Sequence, residues 1–355
     1  MNYPTFTIKN RRIGKGYPTF IIAEISANHE GDFEKTVKLI QEIAKSGADA
    51  VKLQTYTPSS LTIDSDKKWF RVTGTDIPSS WKHKTMYELY KKGAMPWEWQ
   101  PKLKKVAEDC GLIFFSTPFD EDAVNFLERM NVPCYKVASY EINHIPLLKK
   151  IAATKKPVIL SRGMATISDI SLALKTLRGN GVKDIALLHC VSAYPAKSED
   201  MNLATIPDIR TRFKVVSGLS DHTLGIEVPI IAAALGASII EKHVTWKRKE
   251  SGLDTSFSLT PNELRKLVAS VRHLEQIIGT PHYGTSGKRE TKERMARRSI
   301  FVVKDMKKGE EFTKENIRVI RPGYGLHPKE YEQVLGKIAS SDIEAGTPLG
   351  KRNIK

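Results

Sequence analysis

Short apolar runs alternate with amphipathic stretches through the first 245 residues, and each run ends in polar residues. The runs are residues 20–25, 50–53, 112–115, 134–138, 157–160, 185–188, 215–219 and 237–240. Between most of them the period changes to that of a helix. Residues 33–46, for example, set Val37, Ile40, Ile43 and Ala44 on one face. Eight such alternations predict an α/β chain folded as a (β/α)8 TIM barrel, whose chemistry sits at the carboxyl ends of the strands. The residues at those ends are Glu24 and Asn28; Lys52 and Gln54; Ser116 and Asp120; Lys136, Ser139 and Glu141; Ser161; His189, Ser192 and Tyr194; Ser220, Asp221 and His222; and Glu241, Lys242 and His243. All are expected to converge on one face.

The barrel pattern stops near residue 278, so the catalytic domain is expected over residues 1–280. A polar, basic linker follows at 281–297, and a small β-rich domain at 298–355, where short strands are broken by Gly and Pro. One barrel connection is unusual. About 40 residues separate Thr55 from a helix beginning near Pro96, and they contain Trp69, Phe70, Trp81 and Tyr90. Such a segment either covers a site or forms a surface excursion with its own small core.

Composition narrows the class. Forty per cent hydrophobic and 27% charged residues fit a globular protein. No apolar run reaches the ~18 residues of a membrane span, and residues 1–12 lack a signal pattern. Cys110, Cys134 and Cys190 fit no disulfide or zinc spacing, which predicts a reducing, cytoplasmic setting. The net charge of +16 invites a nucleic-acid partner, but the cations are spread along the chain without aromatic interleaving. Steering of anionic substrates is the better reading, with no nucleic-acid and no membrane partner. Residues 281–355 carry 17 Lys and Arg against 10 Asp and Glu, so positive charge is densest there.

The strand ends suggest chemistry. His222 and His243 close adjacent strands, which lie ~4.8 Å apart, so their imidazoles can share one ion. Two nitrogen ligands with open positions suit Mn²⁺ or a similar divalent ion. Asp221 or Glu241 could orient an imidazole from behind. Lys52 and Lys136 stand in apolar strands, where a charge needs a partner. They either pair with Glu24 or Glu141, or clamp a phosphate or carboxylate with help from Ser139, Ser161, Ser192 and Ser220. Glu24 is suited to acid–base work or to a structural ion pair.

Five segments carry a family resemblance. They are residues 23–29 (AEISANH), 50–55 (AVKLQT), 135–141 (YKVASYE), 218–222 (GLSDH) and 241–243 (EKH). In order and over nearly the whole chain they resemble the sialic acid synthases, and the C-terminal part resembles their antifreeze-like SAF domain, a β-clip fold. Residues 54–58, 87–90, 192–195 and 320–328 resemble the branch of that family that makes pseudaminic acid.

The resemblance implies that phosphoenolpyruvate condenses with 2,4-diacetamido-2,4,6-trideoxy-altrose to give pseudaminic acid and phosphate, with C–O cleavage. It implies that His222 and His243 hold a divalent metal, Mn²⁺ first, with Mg²⁺ and Co²⁺ as alternatives. It assigns Lys52, Lys136, Ser139, Ser161, Ser192 and Ser220 to phosphoenolpyruvate. Gln54, Glu141, Tyr194 and Asp254 would face the sugar. Glu24 would be the acid–base residue or would orient the attacking water. Arg321 would complete the catalytic and sugar site of a neighbouring barrel in a homodimer, with the SAF domain lying over that neighbour. One position departs from the family pattern. Arg162 follows Ser161 where Thr is frequent, and it either adds a phosphate contact or points outward. A legionaminic or N-acetylneuraminic acid synthase would share all these motifs except the sugar pocket. An inactive carbohydrate-binding barrel would have no use for Glu24, Lys52, Lys136, His222 and His243 together.

Overall fold

The computed structural model describes residues 3–73, 77, 79–248 and 252–355. The chain divides into two compact units, Met1–Gly279 and Thr280–Lys355.

The first unit opens with an antiparallel hairpin of β1 (Thr5–Ile8) and β2 (Arg11–Gly14). Its Phe6, Ile8 and Ile13 are buried in the barrel core, and Arg11 pairs with Asp49 at 2.9 Å, just before a barrel strand begins. The hairpin therefore covers the amino-terminal end of the barrel. Alternation over four residues is too brief to stand out in the sequence, so this hairpin is visible only in the structure.

Eight parallel strands then close on themselves, as the apolar runs predict. They are β3 (Phe20–Glu24), β4 (Ala50–Thr55), β5 (Ile113–Pro118), β6 (Tyr135–Val137), β7 (Val158–Ser161), β8 (Ile185–Cys190), β9 (Val216–Asp221) and β10 (Ile239–His243). β10 returns to β3 with His243 opposite Glu24. The strands are buried on both faces, which is why they read as near-continuous apolar runs rather than clean alternation.

The helical layer comprises α1 (Phe33–Lys45), α4 (Gln100–Asp109), α5 (Glu121–Arg129), α6 (Ile145–Ala153), α7 (Ile167–Gly179), α8 (Thr205–Phe213), α9 (Glu227–Ala234) and α10 (Pro261–Ile278). Short helices α2 (Pro58–Leu61) and α3 (Met86–Gly93) lie in the long connection after β4. Asp32 caps α1 by accepting from the Lys35 amide at 2.9 Å, and Leu39, Ile40 and Ile43 face the core. Thr260 and Glu263 form a capping box at the start of α10, with Pro261 in its first turn. Among the described residues no helix is long and apolar enough to cross a membrane. All three cysteines are free.

The second unit holds the short helix α11 (Lys288–Glu293), an antiparallel pair β11 (Ser299–Val302) and β12 (Ile317–Ile320), and a one-turn helix α12 (Tyr331–Val334). Single bridges such as Met306 with Ile343 and Glu311 with Ile338 extend the β structure. Ile300, Val302, Met306, Phe312, Ile317, Val334, Ile343 and Leu349 form its own core. Arg321 follows β12 and is exposed.

Candidate active site

At the carboxyl ends of the barrel strands lies a cavity of about 250 Å³. Strand alternation decides which side chains reach it. On β10, Glu241 and His243 line the cavity, whereas Lys242 between them does not. On and just after β9, Ser220 and His222 line it, and Asp221 does not. The two excluded residues pair with each other at 2.5 Å behind the sheet, fully buried, with Thr223 completing the cluster.

The floor of the cavity is charged. Lys52 contacts Glu24 in a buried ion pair and donates to Thr117 Oγ1 at 3.0 Å. Lys136 donates to Ser161 Oγ at 2.7 Å and to the Val137 carbonyl at 2.9 Å. Between the lysines stands Glu241, 3.8 Å from Lys52 and 3.7 Å from Lys136, accepting from Ser220 Oγ at 3.1 Å. Burial pushes the Glu24 carboxyl up to about 7, even against the neighbouring Lys52 charge. Burial acts on Glu241 in the same direction, but the combined pull of Lys136 and Lys52 outweighs it and lowers its pKa. Desolvation lowers the pKa of Lys136. Glu24 therefore exchanges a proton near neutrality while Glu241 stays ionised. When Glu24 is protonated, two lysines face one carboxylate and the floor carries a net positive charge for an anion.

Beside the floor stand the imidazoles. The His222 and His243 ring centroids are 5.4 Å apart. His222 Nδ1 lies 3.0 Å from the Val191 carbonyl; in the neutral ring with its proton on Nδ1, Nε2 is left with a lone pair for a ligand. The Nδ1 of His243 is buried without a hydrogen-bond partner, 3.9 Å from Asp254. Asp254 is itself held by the Ala27 amide at 3.3 Å. Among the described residues no group of three or more His, Cys, Asp or Glu side chains converges as an ion site. The donor set is thus two imidazoles, with the remaining coordination positions left to ligand oxygens or water. An unpartnered buried nitrogen beside a second imidazole fits a divalent ion.

The far wall is aromatic. The connection after β4 contributes Tyr56, Leu61, Trp81, Leu89 and Tyr90, and Phe119, Tyr140, Tyr194 and Leu253 join them. Trp97 Nε1 donates to the Tyr56 carbonyl at 3.1 Å, and Gln100 reaches Thr55 Oγ1 at 2.8 Å. Both bonds tie the connection to the end of β4. Gly93 ends α3 where a Cβ would meet Tyr56 Oη at 2.8 Å, so only glycine permits this approach. The segment covers the site rather than forming a separate excursion. Glu141 lies between floor and wall, and burial raises its carboxyl to about 7.

Most sequence-predicted residues meet in this cavity: Lys52, Lys136, Ser139, Ser161, Ser220, Gln54, Glu141, Tyr194, Asp254, His222 and His243 all line it. Glu24 sits behind Lys52, fully buried, and Ser192 supports Ser139 through a 2.8 Å hydroxyl contact. Arg321 belongs to the second unit. Three expectations need correction. Asp221 and Glu241 do not hydrogen-bond an imidazole, because Lys242, Thr223, Ser220 and the floor lysines occupy them; a backbone carbonyl holds His222 instead. Asp221 and Lys242 do not join the face on which all the strand ends were expected to converge. Lys52 pairs with Glu24 as one expectation had it, Glu241 joins both lysines, and no ion pair with Glu141 forms among the described residues. Arg162 turns outward. Its guanidinium donates to His189 Nδ1 at 3.0 Å and 2.8 Å and to the Gly163 carbonyl at 3.0 Å. His189 in turn donates from Nε2 to the Met201 carbonyl, and burial with the Arg162 charge keeps it neutral, down to about 4. Glu241 was read from the sequence as a strand-end residue, but not as the partner of the floor lysines. Trp81 was visible only as one aromatic of the long connection, and Leu253 carried no sequence signal.

Comparison with known proteins agrees with this geometry. Residues 39–283 match the NeuB family and residues 297–355 match the SAF domain. The chain is 41% identical to the pseudaminic acid synthase of Campylobacter jejuni, covering 95% of this chain and 96% of that protein. It is 42% identical to the pseudaminic acid synthase of Helicobacter pylori, covering 95% and 98%. The solved structure of N-acetylneuraminic acid synthetase from Leptospira borgpetersenii, in complex with citrate, superposes with a TM-score of 0.72 at 34% identity, covering 82% of this chain and 95% of that one.

Proposed function

This chain belongs to the NeuB family, and from that premise we propose that it condenses phosphoenolpyruvate with 2,4-diacetamido-2,4,6-trideoxy-altrose to form pseudaminic acid and phosphate. The coarser activity, joining phosphoenolpyruvate to a sugar to make a nonulosonic acid, follows from its relatives. The observation that supports the reading is one cavity holding an anion-binding floor and two imidazoles at neighbouring strand ends.

In this scheme Lys52 and Lys136 bind the phosphate and carboxylate of phosphoenolpyruvate, and Ser139, Ser161 and Ser220 donate to the same oxygens. Ser192 acts through Ser139. Phosphoenolpyruvate C3 attacks the aldehyde carbon, water adds to C2, and the C2–O bond then breaks with loss of phosphate. His222 and His243 would hold a divalent metal, Mn²⁺ first, which supplies Lewis-acid polarisation of the aldehyde. Glu24 touches the reaction through Lys52. With its pKa near 7 it takes or returns a proton as the negative charge on the floor changes. Gln54, Glu141, Tyr194 and Asp254 face the sugar.

Phosphate release from phosphoenolpyruvate, assayed with three sugars, tests the assignment. The trideoxy-altrose should give the highest kcat/KM, ahead of the legionaminic precursor and N-acetylmannosamine. Activity should vanish on chelation and return with Mn²⁺. A higher kcat/KM for either competitor, or full activity without metal, defeats the corresponding part of the reading.

The proposal extends to a homodimer in which Arg321 serves the partner's barrel. Mixing inactive Glu24→Ala and Arg321→Ala dimers and allowing exchange should restore activity, because one hybrid site then carries neither lesion. Persistent inactivity in hybrids verified by mass defeats the trans arrangement.

A further inference from the structure

The rings along the cavity form an ordered row. His222 lies 5.4 Å from His243, Tyr194 lies 4.4 Å from His222, and Trp81 lies 5.6 Å from Tyr194. Trp81 is therefore separated from His222 by one ring, that of Tyr194. It is clamped there. Its indole N–H donates to the Leu253 carbonyl at 2.8 Å, and Ser80 Oγ donates to the Gly252 carbonyl at 2.9 Å. These two bonds join the connection after β4 to the segment after β10, which lies 172 residues away in sequence. Leu61, Leu89 and Leu253 line the same cavity. The side chains of Leu61, Trp81, Leu89 and Leu253 offer no free hydrogen-bonding atom, since the one indole N–H is engaged.

We infer that Trp81, with Leu61, Leu89 and Leu253, forms an apolar subsite that receives the terminal methyl group of a 6-deoxy sugar and so selects against a 6-hydroxyl. The inference deepens the reading above and rests on it. An open-chain sugar with its aldehyde at the imidazoles runs along Tyr194 and presents its far carbon to Trp81. A methyl group there removes apolar surface from water. A hydroxyl there loses its water without gaining a partner among these four side chains. Apolar pockets reject an added hydroxyl only moderately, so the expected preference is about ten- to a hundredfold in kcat/KM.

The test compares two sugars that differ only at C6, the 2,4-diacetamido-2,4,6-trideoxy-altrose and its 6-hydroxy analogue. The intact enzyme should prefer the deoxy sugar. Trp81→Ala should bring the ratio of the two kcat/KM values close to one, and Trp81→Phe, which keeps apolar area but lacks the clamp, should fall between. The KM for phosphoenolpyruvate should stay within about twofold of its starting value, because the floor is untouched. Should the alanine variant not fold, Leu61→Asn on the half-buried helix α2 should shift the ratio the same way. An unchanged ratio in folded variants of an enzyme that turns over the deoxy sugar overturns the subsite. An intact enzyme that uses neither 2,4-diacetamido sugar but accepts N-acetylmannosamine overturns the reading beneath it.

Discussion

The floor and the far wall of the cavity are built in different ways. Floor residues stand on barrel strands, where hydrogen bonding to two neighbours fixes the backbone and alternation fixes which side chains point inward. Lys52, Lys136 and Glu241 are almost fully buried and held by one another. Wall residues stand on the connection after β4 and the segment after β10, joined to the barrel by a few hydrogen bonds such as those of Trp81 and Trp97. The difference teaches where each task resides. On the proposed reading, anion chemistry would rest on the rigid scaffold and discrimination between sugars on the loops, a division general to barrels of this kind.

The most severe way to break the floor is Lys52→Met. It leaves Glu24 and Glu241 buried beside one lysine fewer, a loss that typically costs about 3–5 kcal/mol. Urea unfolding should show it, and kcat/KM for phosphoenolpyruvate should drop by about 10²–10³. A variant as stable as the parent would mean that Glu24 simply takes up a proton and that the floor tolerates the loss.

Glu141 sits at the boundary, and its titration sharpens the contrast. Its folded pKa of about 7 lies above the ordinary 4.5. The folded state therefore holds a proton that the unfolded chain has released. The associated stability is fully present below 4.5, declines as pH rises, and is gone above about 7, up to about 3 kcal/mol in all. Glu141→Gln should flatten the thermal stability profile across that window. A parallel decline in the variant would assign the pH dependence to other groups.

A matched pair of helix caps gives the smallest effect. Thr85 with Glu88 caps α3 in the wall, and Thr166 with Asp169 caps α7 in the barrel layer. Each Thr→Ala should cost about 1 kcal/mol. Thr85→Ala should also raise the sugar KM while leaving that for phosphoenolpyruvate unchanged. Thr166→Ala should move neither. Equal kinetic effects from the two would remove the separation between wall and scaffold.

The floor is more legible in the sequence than the wall, of which only the aromatic content of the long connection after Thr55 shows. Eight apolar runs were enough for a closed barrel, because strands buried on both faces must be apolar and nearly uninterrupted. Lys52 and Lys136 stood out as charges inside such runs, and His222 and His243 as strand termini. These signals are local and periodic, so sequence alone carries them.

What sequence did not carry was partnership across distance. Glu241, rather than Glu141, completes the floor, because β10 lies beside β3 only after the barrel closes. Lys242 and Asp221 neutralise each other behind the sheet, a pairing set by the register between β9 and β10. Arg162 turned from the cavity to His189 because its strand places it on the outer face. Trp81 acquired a role when its indole met a carbonyl 172 residues further along the chain. The sequence by itself determined the barrel strands and helices and their order, since these follow from local periodicity. The tertiary structure alone decided which charge neutralises which, which strand-end side chains face the cavity and which aromatic rings line it, since Coulomb and packing forces act through space between residues far apart in the chain.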